Sequence, residues 1–263
     1  MTAITARIAQ GVTSIAAEDW DACAGDANPF VGHAFLAALE ASKSVGGRSG
    51  WQALPVVVDG DDGRPAGIAP AYAKSHSQGE YVFDQGWADA WERAGGQYYP
   101  KLQIAAPFSP VPGPRLLLRD PAVAPALIAA LEAVTDQSGL SSAHATFIAP
   151  AEVALFEAAG WLIRQGTQFH WTNEGYASFD DFLAALASRK RKAIRKERAA
   201  AVEGLTIRHL TGAEITPAHW DAFWVFYQDT GSRKWGQPYL TRAFFRSNRS
   251  DDGRPGAADP RRA

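Results

Sequence analysis

The chain has 263 residues, 46% of them hydrophobic, with a formal net charge of −2, enough apolar side chain for one large core or two smaller ones. No run of eighteen apolar residues occurs, which excludes a membrane-spanning helix. Its single cysteine, Cys23, excludes an intramolecular disulfide and a cysteine-rich metal site. The N-terminal stretch MTAITARIAQ lacks the charged, apolar and cleavage regions of a signal peptide, so a cytoplasmic protein is expected.

In chain order, an opening strand is predicted over about 4–10, then short helices over 16–24 and 33–42. Apolar runs at 54–58 and 66–73 flank a DGDDGR turn and read as a hairpin. In the following KSHSQGEYVFD stretch a strand is predicted over 80–84, with Glu80, Val82 and Asp84 on one face. Two readings stay open there. Glu80 and Asp84 form a carboxylate pair that takes a proton from an amine nucleophile, with Tyr81 touching the substrate. Alternatively they line a solvent-facing strand edge, with Tyr81 and Phe83 buried.

A helix over 87–95 ends at Gly95-Gly96. Tyr98, Tyr99 and Lys101 combine aromatic surface with a cation, which suits a sugar, a peptide or a nucleotide, or plain packing; Tyr99 and Lys101 are carried as substrate-binding candidates. A strand over 102–105 follows. Arg115 leaves a Pro-rich turn into a strand over 115–119 and is a further candidate for substrate binding. A helix over 125–135, a strand over 145–148, a helix over 151–159 and a strand over 161–171 complete an α/β unit.

That last strand ends on His170, a candidate base, and Trp171, a candidate substrate contact; a lone histidine in an aromatic strand also suits packing. Ser178 with Asp181 three residues on gives a capping-box-like start to a helix over 179–203. Its second half, Arg189 to Arg198, holds 7 of the 26 basic side chains and one acid, which leaves 19 basic against 27 acidic groups elsewhere. Concentrated charge of this kind is the footprint of an anionic partner, or a solvated face that suits the negative end of the helix dipole. Arg189, Lys192, Arg195 and Lys196 are the candidate anion-binding residues.

Beyond this lie a predicted strand over 205–210, a helix over 218–229 and a short helix over 239–245. Trp235, in the loop between the two helices, is a candidate ligand contact. His144, His209 and His219 show no ligand spacing, so no metal is expected. Residues 247–263 contain no apolar side chain larger than alanine and are expected to be a disordered tail.

The motifs GEYVFDQGWADA, YYPKLQ, PFSPVPGPRLL, QFHW with the FDDFLAALASRKRKAIRKER helix, and the segment from Trp220 to Phe245 together resemble the FemAB-like group of GNAT-type N-acyltransferase proteins, over about residues 15–245. The resemblance implies an α/β (α+β) fold of tandem GNAT-like units, each a mixed sheet with flanking helices: a complete one over 1–174 and an incomplete second over 175–246. It implies acyl or aminoacyl transfer onto an amine. The donor would be acyl-CoA or aminoacyl-tRNA, and the acceptor a small amine or a cell-wall precursor. The Gly-rich RxxGxG/A pattern that would cradle a CoA pyrophosphate is absent. Family members continue with further strands and helices, so the Arg/Pro/Gly/Ala-rich ending reads as a truncated or frameshifted product. On that reading the chain is an inactive remnant or an anion-binding module.

Overall fold

A computed structural model of the chain describes residues 5–234 and 237–247. The expectations for Trp235 and for the tail beyond Ser247 lie outside the described residues. Contacts group residues 5–163 with 216–247 as a first unit and 164–215 as a second, whereas the sequence suggested a boundary at 174/175.

The centre of the first unit is a long hairpin that two prolines cut in half. One arm runs through β2 (Trp51–Ala53) and β3 (Val56–Asp59), the other through β4 (Pro65–Ala69) and β5 (Ala71–Lys74). Pro55 and Pro70 fall at the two breaks, where a missing N–H cannot complete a ladder. The halves consequently join different sheets. β3 and β4 sit in an antiparallel sheet of order β1-β3-β4-β7, with β1 at Ala6–Ile8 and β7 at Leu117–Leu118. β2 and β5 sit in a mixed sheet of order β2-β5-β6-β8, in which β6 (Lys101–Ile104) pairs in parallel with β8 (Ala143–Ala145).

Helices cover both faces, as the alternation of β3 requires. Val57 joins one cluster with Trp20, Leu36 and Leu39 from α1 (Ala17–Ala24) and α2 (His33–Ala41). Val56 and Val58 join another with Leu127, Leu131 and Phe156 from α4 (Ala124–Gln137) and α5 (Val153–Ala158). The mixed α/β content expected from the order of elements is what the chain forms.

The aromatic helix of the late chain, α8 (Pro217–Ser232), belongs to this first unit. Trp220, Trp224 and Tyr227 pack against the α1/α2 cluster together with Phe244 and Phe245 of α9 (Arg242–Ser247), both of which are buried. Phe223 and Phe226 stay exposed, so only part of the helix lacks cover. The neighbouring elements named here, α1, α2 and α9, are helices.

The second unit is helical among its described residues. Ser178 Oγ accepts from Asp181 N at 3.1 Å and starts α6 (Phe179–Ala185), as expected. The single helix predicted over 179–203 is broken, however. Leu186 and Ala187 are extended, and α7 (Ser188–Val202) starts anew. Arg191 supports the break by donating to the Ala184 carbonyl at 3.0 Å, one of the end carbonyls that α6 leaves without a partner.

Three predicted strands do not form: 80–84, 161–171 and 205–210. Each has the apolar or alternating composition of a strand, yet none meets a neighbour to pair with. Phe169, Leu205 and Ile207 accordingly stand exposed. Alternation specifies which way side chains point; a ladder also needs a partner.

The Phe245 ring, met by Trp220, Phe223, Trp224, Tyr227 and Phe244, fastens α8 to the first unit. Phe245→Ala should destabilise the protein by about 3 kcal/mol in urea unfolding. A loss under about 0.5 kcal/mol, the size of an ordinary surface substitution, would show that α9 is peripheral.

Candidate functional site

Register brings two lysines face to face. In the β5–β6 ladder Lys74 lies directly opposite Lys101, and both are fully buried. Like charges opposed on one sheet repel, and a buried ammonium without a counter-charge is costly. The segment that connects β5 to α3 (Gln85–Arg93) supplies the compensation. It folds back so that Glu80 and Asp84, each only 3% exposed, point inward.

Lys101 Nζ donates to Asp84 Oδ2 at 2.6 Å, Glu80 Oε2 at 2.8 Å and Ser77 Oγ at 2.9 Å, which engages all three ammonium hydrogens. Tyr98 OH donates to the same Asp84 oxygen at 2.9 Å. Tyr99 OH and Ser77 Oγ share a hydrogen bond of 2.8 Å. Lys74 Nζ donates to the Gln78 carbonyl at 3.1 Å, lies 3.9 Å from Glu80 Oε1, and stands 3.8 Å from the centre of the Trp51 ring. The far oxygens, Glu80 Oε1 and Asp84 Oδ1, are buried without a hydrogen-bond partner among the described residues.

The two carboxylates are therefore different acids. Burial pushes Glu80 above the ordinary carboxylate range, against the pull of Lys101 and Lys74. Burial works on Asp84 too, but the hydrogen bonds from Lys101, Ser77 and Tyr98 outweigh it and hold the carboxyl below that range. Lys74 is pushed down to about 7, first by desolvation and also by Lys101, against the attraction of Glu80.

This arrangement corrects the strand reading of residues 80–84. The acids face inward, while Tyr81 and Phe83 are 45% and 80% exposed, so the solvent-facing-edge alternative fails on both counts. It also corrects Lys101, a brace for two acids with no donor left for a substrate. Arg115 is corrected likewise. The guanidinium is fully buried and donates to the carbonyls of Thr146, Val111 and Pro114 at 2.8, 2.9 and 3.0 Å. Glu152 adds to this clip by accepting from the backbone N–H groups of Arg115 and Leu116. A buried arginine that caps carbonyls holds loops together.

Tyr81 lies where a ligand could meet it. Its backbone takes the left-handed conformation, φ 57°, and so does that of Phe108, φ 60°, an unfavourable region for bulky residues that tends to cluster at functional sites. Both rings meet Tyr239: Phe108 stacks on it at 5.1 Å and Tyr81 meets it edge-on at 6.3 Å. Gly79 makes the close approach possible. It has φ 80°, and a Cβ there would come within 2.7 Å of the Phe108 ring.

In the second unit, His170 is exposed and bonds to Gln168 at 3.1 Å; Trp171 is exposed and meets the Phe182 ring edge-on. Neither sits in the strand that the sequence suggested. Every cation of α7 from Arg189 to Arg198 is solvent-facing or half-exposed. Arg195 pairs with Asp180 at 3.1 Å and Arg198 covers the Phe179 ring at 4.2 Å, whereas Arg189, Lys190, Lys192 and Lys196 carry no partner among the described residues. Sequence reading missed Lys74, a charge at the end of an apolar run, and Ser77. The only available signal was that the three apolar or tyrosyl residues opening β5, Ala71–Ala73, run into a lysine.

Lys101→Met should cost roughly 3–5 kcal/mol of stability, because Glu80 and Asp84 are left buried without their cation. Adding Glu80→Gln and Asp84→Asn to it should restore most of the loss; no restoration would mean that the cluster is held by something other than charge. A second expectation concerns Lys74. Between pH 7 and 10.5 the unfolded chain keeps this proton and the native chain has released it, so stability should rise with pH across that window. Lys74→Met should flatten the rise in urea unfolding at stepped pH, and an unchanged slope would show that Lys74 titrates normally.

The chain matches the FemAB-like family model, described as peptidoglycan biosynthesis/recognition, over residues 11–252. No curated protein and no solved structure matches it. No helix among the described residues is long and apolar enough to cross a membrane. With the match spanning nearly the whole sequence, the chain belongs to the FemAB-like family.

Proposed function

We propose that the protein transfers an acyl or aminoacyl group from an activated donor, acyl-CoA or aminoacyl-tRNA, onto a primary amine of a cell-wall precursor or a related small molecule. The observation that carries this reading is the buried Glu80 carboxylate. It is raised above the ordinary range and has one oxygen, facing Lys74 at 3.9 Å, that makes no hydrogen bond among the described residues, attributes that suit a general base. In the reaction the amine nitrogen attacks the donor carbonyl carbon and a C–N bond forms. The amine proton passes to Glu80, and the thiolate or the ribose oxygen departs and takes up a proton. Asp84, held ionised by Lys101, Ser77 and Tyr98, is a weaker base; it fixes Lys101 and, through it, Glu80. The unpaired cations of α7 suit the phosphates of either donor.

A second reading, an anion-binding protein without turnover, draws on the same helix. Turnover separates the two.

Glu80→Gln should lower kcat by roughly 10²-fold or more with the fold retained, since general-base groups contribute on that scale. The base must be deprotonated to act. In the native enzyme, activity should therefore fall as pH drops through a value above the usual glutamate range, and that limb should vanish in Glu80→Gln. A wild-type rate and profile in the variant would remove Glu80 from the mechanism. For the donor, changing Lys192, Arg195 and Lys196 together to Gln should weaken retention on a tRNA or CoA matrix and flatten its salt dependence. Unchanged retention would return α7 to a solvated face.

A further inference from the structure

Helix α3 is held at its ends and left open along one side. At its start the carbonyl of the buried Asp84 accepts from the N–H groups of Trp87 and Ala88 at 2.9 and 3.0 Å. At its end Gly96 N donates to the Trp91 carbonyl at 3.0 Å, and the Trp91 ring lies over Gly96, where a Cβ would collide with it. Between those ends Ala88 is the helix's one buried residue among those described. Trp87 and Trp91 are 67% and 54% exposed, and neither indole meets another aromatic ring among the described residues. A helix of 9 residues is marginal without an apolar face packed on something, and here that face looks outward.

Helical spacing divides α3 into strips. Trp87 and Trp91, one turn apart, form a ridge of large side chains. Gly86, Ala90 and Ala94 run beside it as a groove of small residues, all of them exposed. Gln85, Asp89, Glu92 and Arg93 fall on the other half of the helix, so the apolar side carries no charge.

Those strips restrict the partner. The polar half has two acids against Arg93, the reverse of what an anionic membrane surface or a nucleic acid attracts. Residues 248–263 contain no aromatic or branched aliphatic side chain and have nothing to set against two indoles. A ridge beside a groove, by contrast, complements its own copy. A two-fold axis along the ridges, with the helices crossing at roughly 50°, places each ridge in the other's groove. The area agrees. Phe83, just ahead of the helix and 80% exposed, offers with the two indoles roughly 400 Å² per copy. With the small residues added, two copies bury about 1,000 Å², the lower bound for a specific association.

We propose that this face of α3 is a self-association surface, on which two copies of the chain form a reversible dimer. The dimer does not depend on the transfer reaction proposed above.

Sedimentation of the full chain in the analytical ultracentrifuge tests it. Reversible dimerisation is expected at tens of micromolar, as suits so small an interface. Trp87→Ala should weaken it roughly thirtyfold or more, and so should Ala90→Trp, which fills the groove. Both positions are exposed, so circular dichroism should not change. Ala90→Ser, which keeps the groove, and Trp171→Ala, an exposed indole of the second unit, should each alter the dimer less than about twofold. A monomer at hundreds of micromolar, or a dimer indifferent to Trp87→Ala and Ala90→Trp, would overturn the proposal. Equal loss in Trp171→Ala would do the same, as the mark of unspecific aromatic adhesion. So would a monomer that sediments with phosphatidylcholine vesicles through Trp87, which would give the face to lipid.

Discussion

Two lysines opposed on neighbouring strands are the constraint from which the candidate site follows. The β5–β6 register places Lys74 against Lys101 in the interior of the first unit. Two cations in that position are tolerable only with carboxylates close by and hydrogen bonds to complete them. Asp84 is ten positions beyond Lys74, and this short segment has to deliver both acids to one point. A strand over 80–84 would present Glu80 and Asp84 about 13 Å apart along its axis. A turn that folds on itself sets both on the same ammonium, within 2.8 Å. The loop conformation is what charge neutralisation demands.

Turning the acids inward forces their neighbours outward. Tyr81 is driven into the left-handed region and its ring emerges against Tyr239; Phe83 is mostly solvent-exposed. An exposed aromatic edge thus lies one residue from a buried carboxylate of raised proton affinity. The same geometry divides labour between the acids. Hydrogen bonds hold Asp84 as an anion, while burial makes Glu80 the easier of the two to protonate; each keeps one oxygen without a hydrogen bond among the described residues. Environment rather than residue type makes one the brace and the other the candidate base.

Much of this was legible in the sequence at the level of parts. Both arms of the hairpin, the helices of the first unit, the Ser178 cap and the basic segment follow from local pattern, because each is stabilised mainly by residues near it in the chain. Glu80 and Asp84 were paired correctly by parity, yet parity holds equally for a strand and for a loop that happens to turn the same residues inward. The strands predicted at 161–171 and 205–210 failed for the same reason: their composition is right, and pairing depends on a partner that no local window contains. Arg115 misled in another way. An arginine after a Pro-rich turn looks like a ligand contact, and only the three carbonyls converging on it, from Val111, Pro114 and Thr146, show it to be a clip. Lys74 was invisible because its importance lies in the residue opposite, 27 positions away.

Charge bears on the donor of the proposed reaction. The two opposed lysines are committed: Lys101 has three acceptors, and Lys74 has a carbonyl, a carboxylate at 3.9 Å and an indole. They have nothing left for a phosphate, so an anionic donor gains no attraction from them. Their acids keep two buried oxygens, Glu80 Oε1 and Asp84 Oδ1, without a hydrogen bond among the described residues. The cations of α7 are the reverse case, exposed and for the most part unpaired, with a remainder of the chain that is net acidic. A polyanionic donor of the proposed reaction therefore finds unpaired cations on α7 and none in the Lys74/Lys101 cluster.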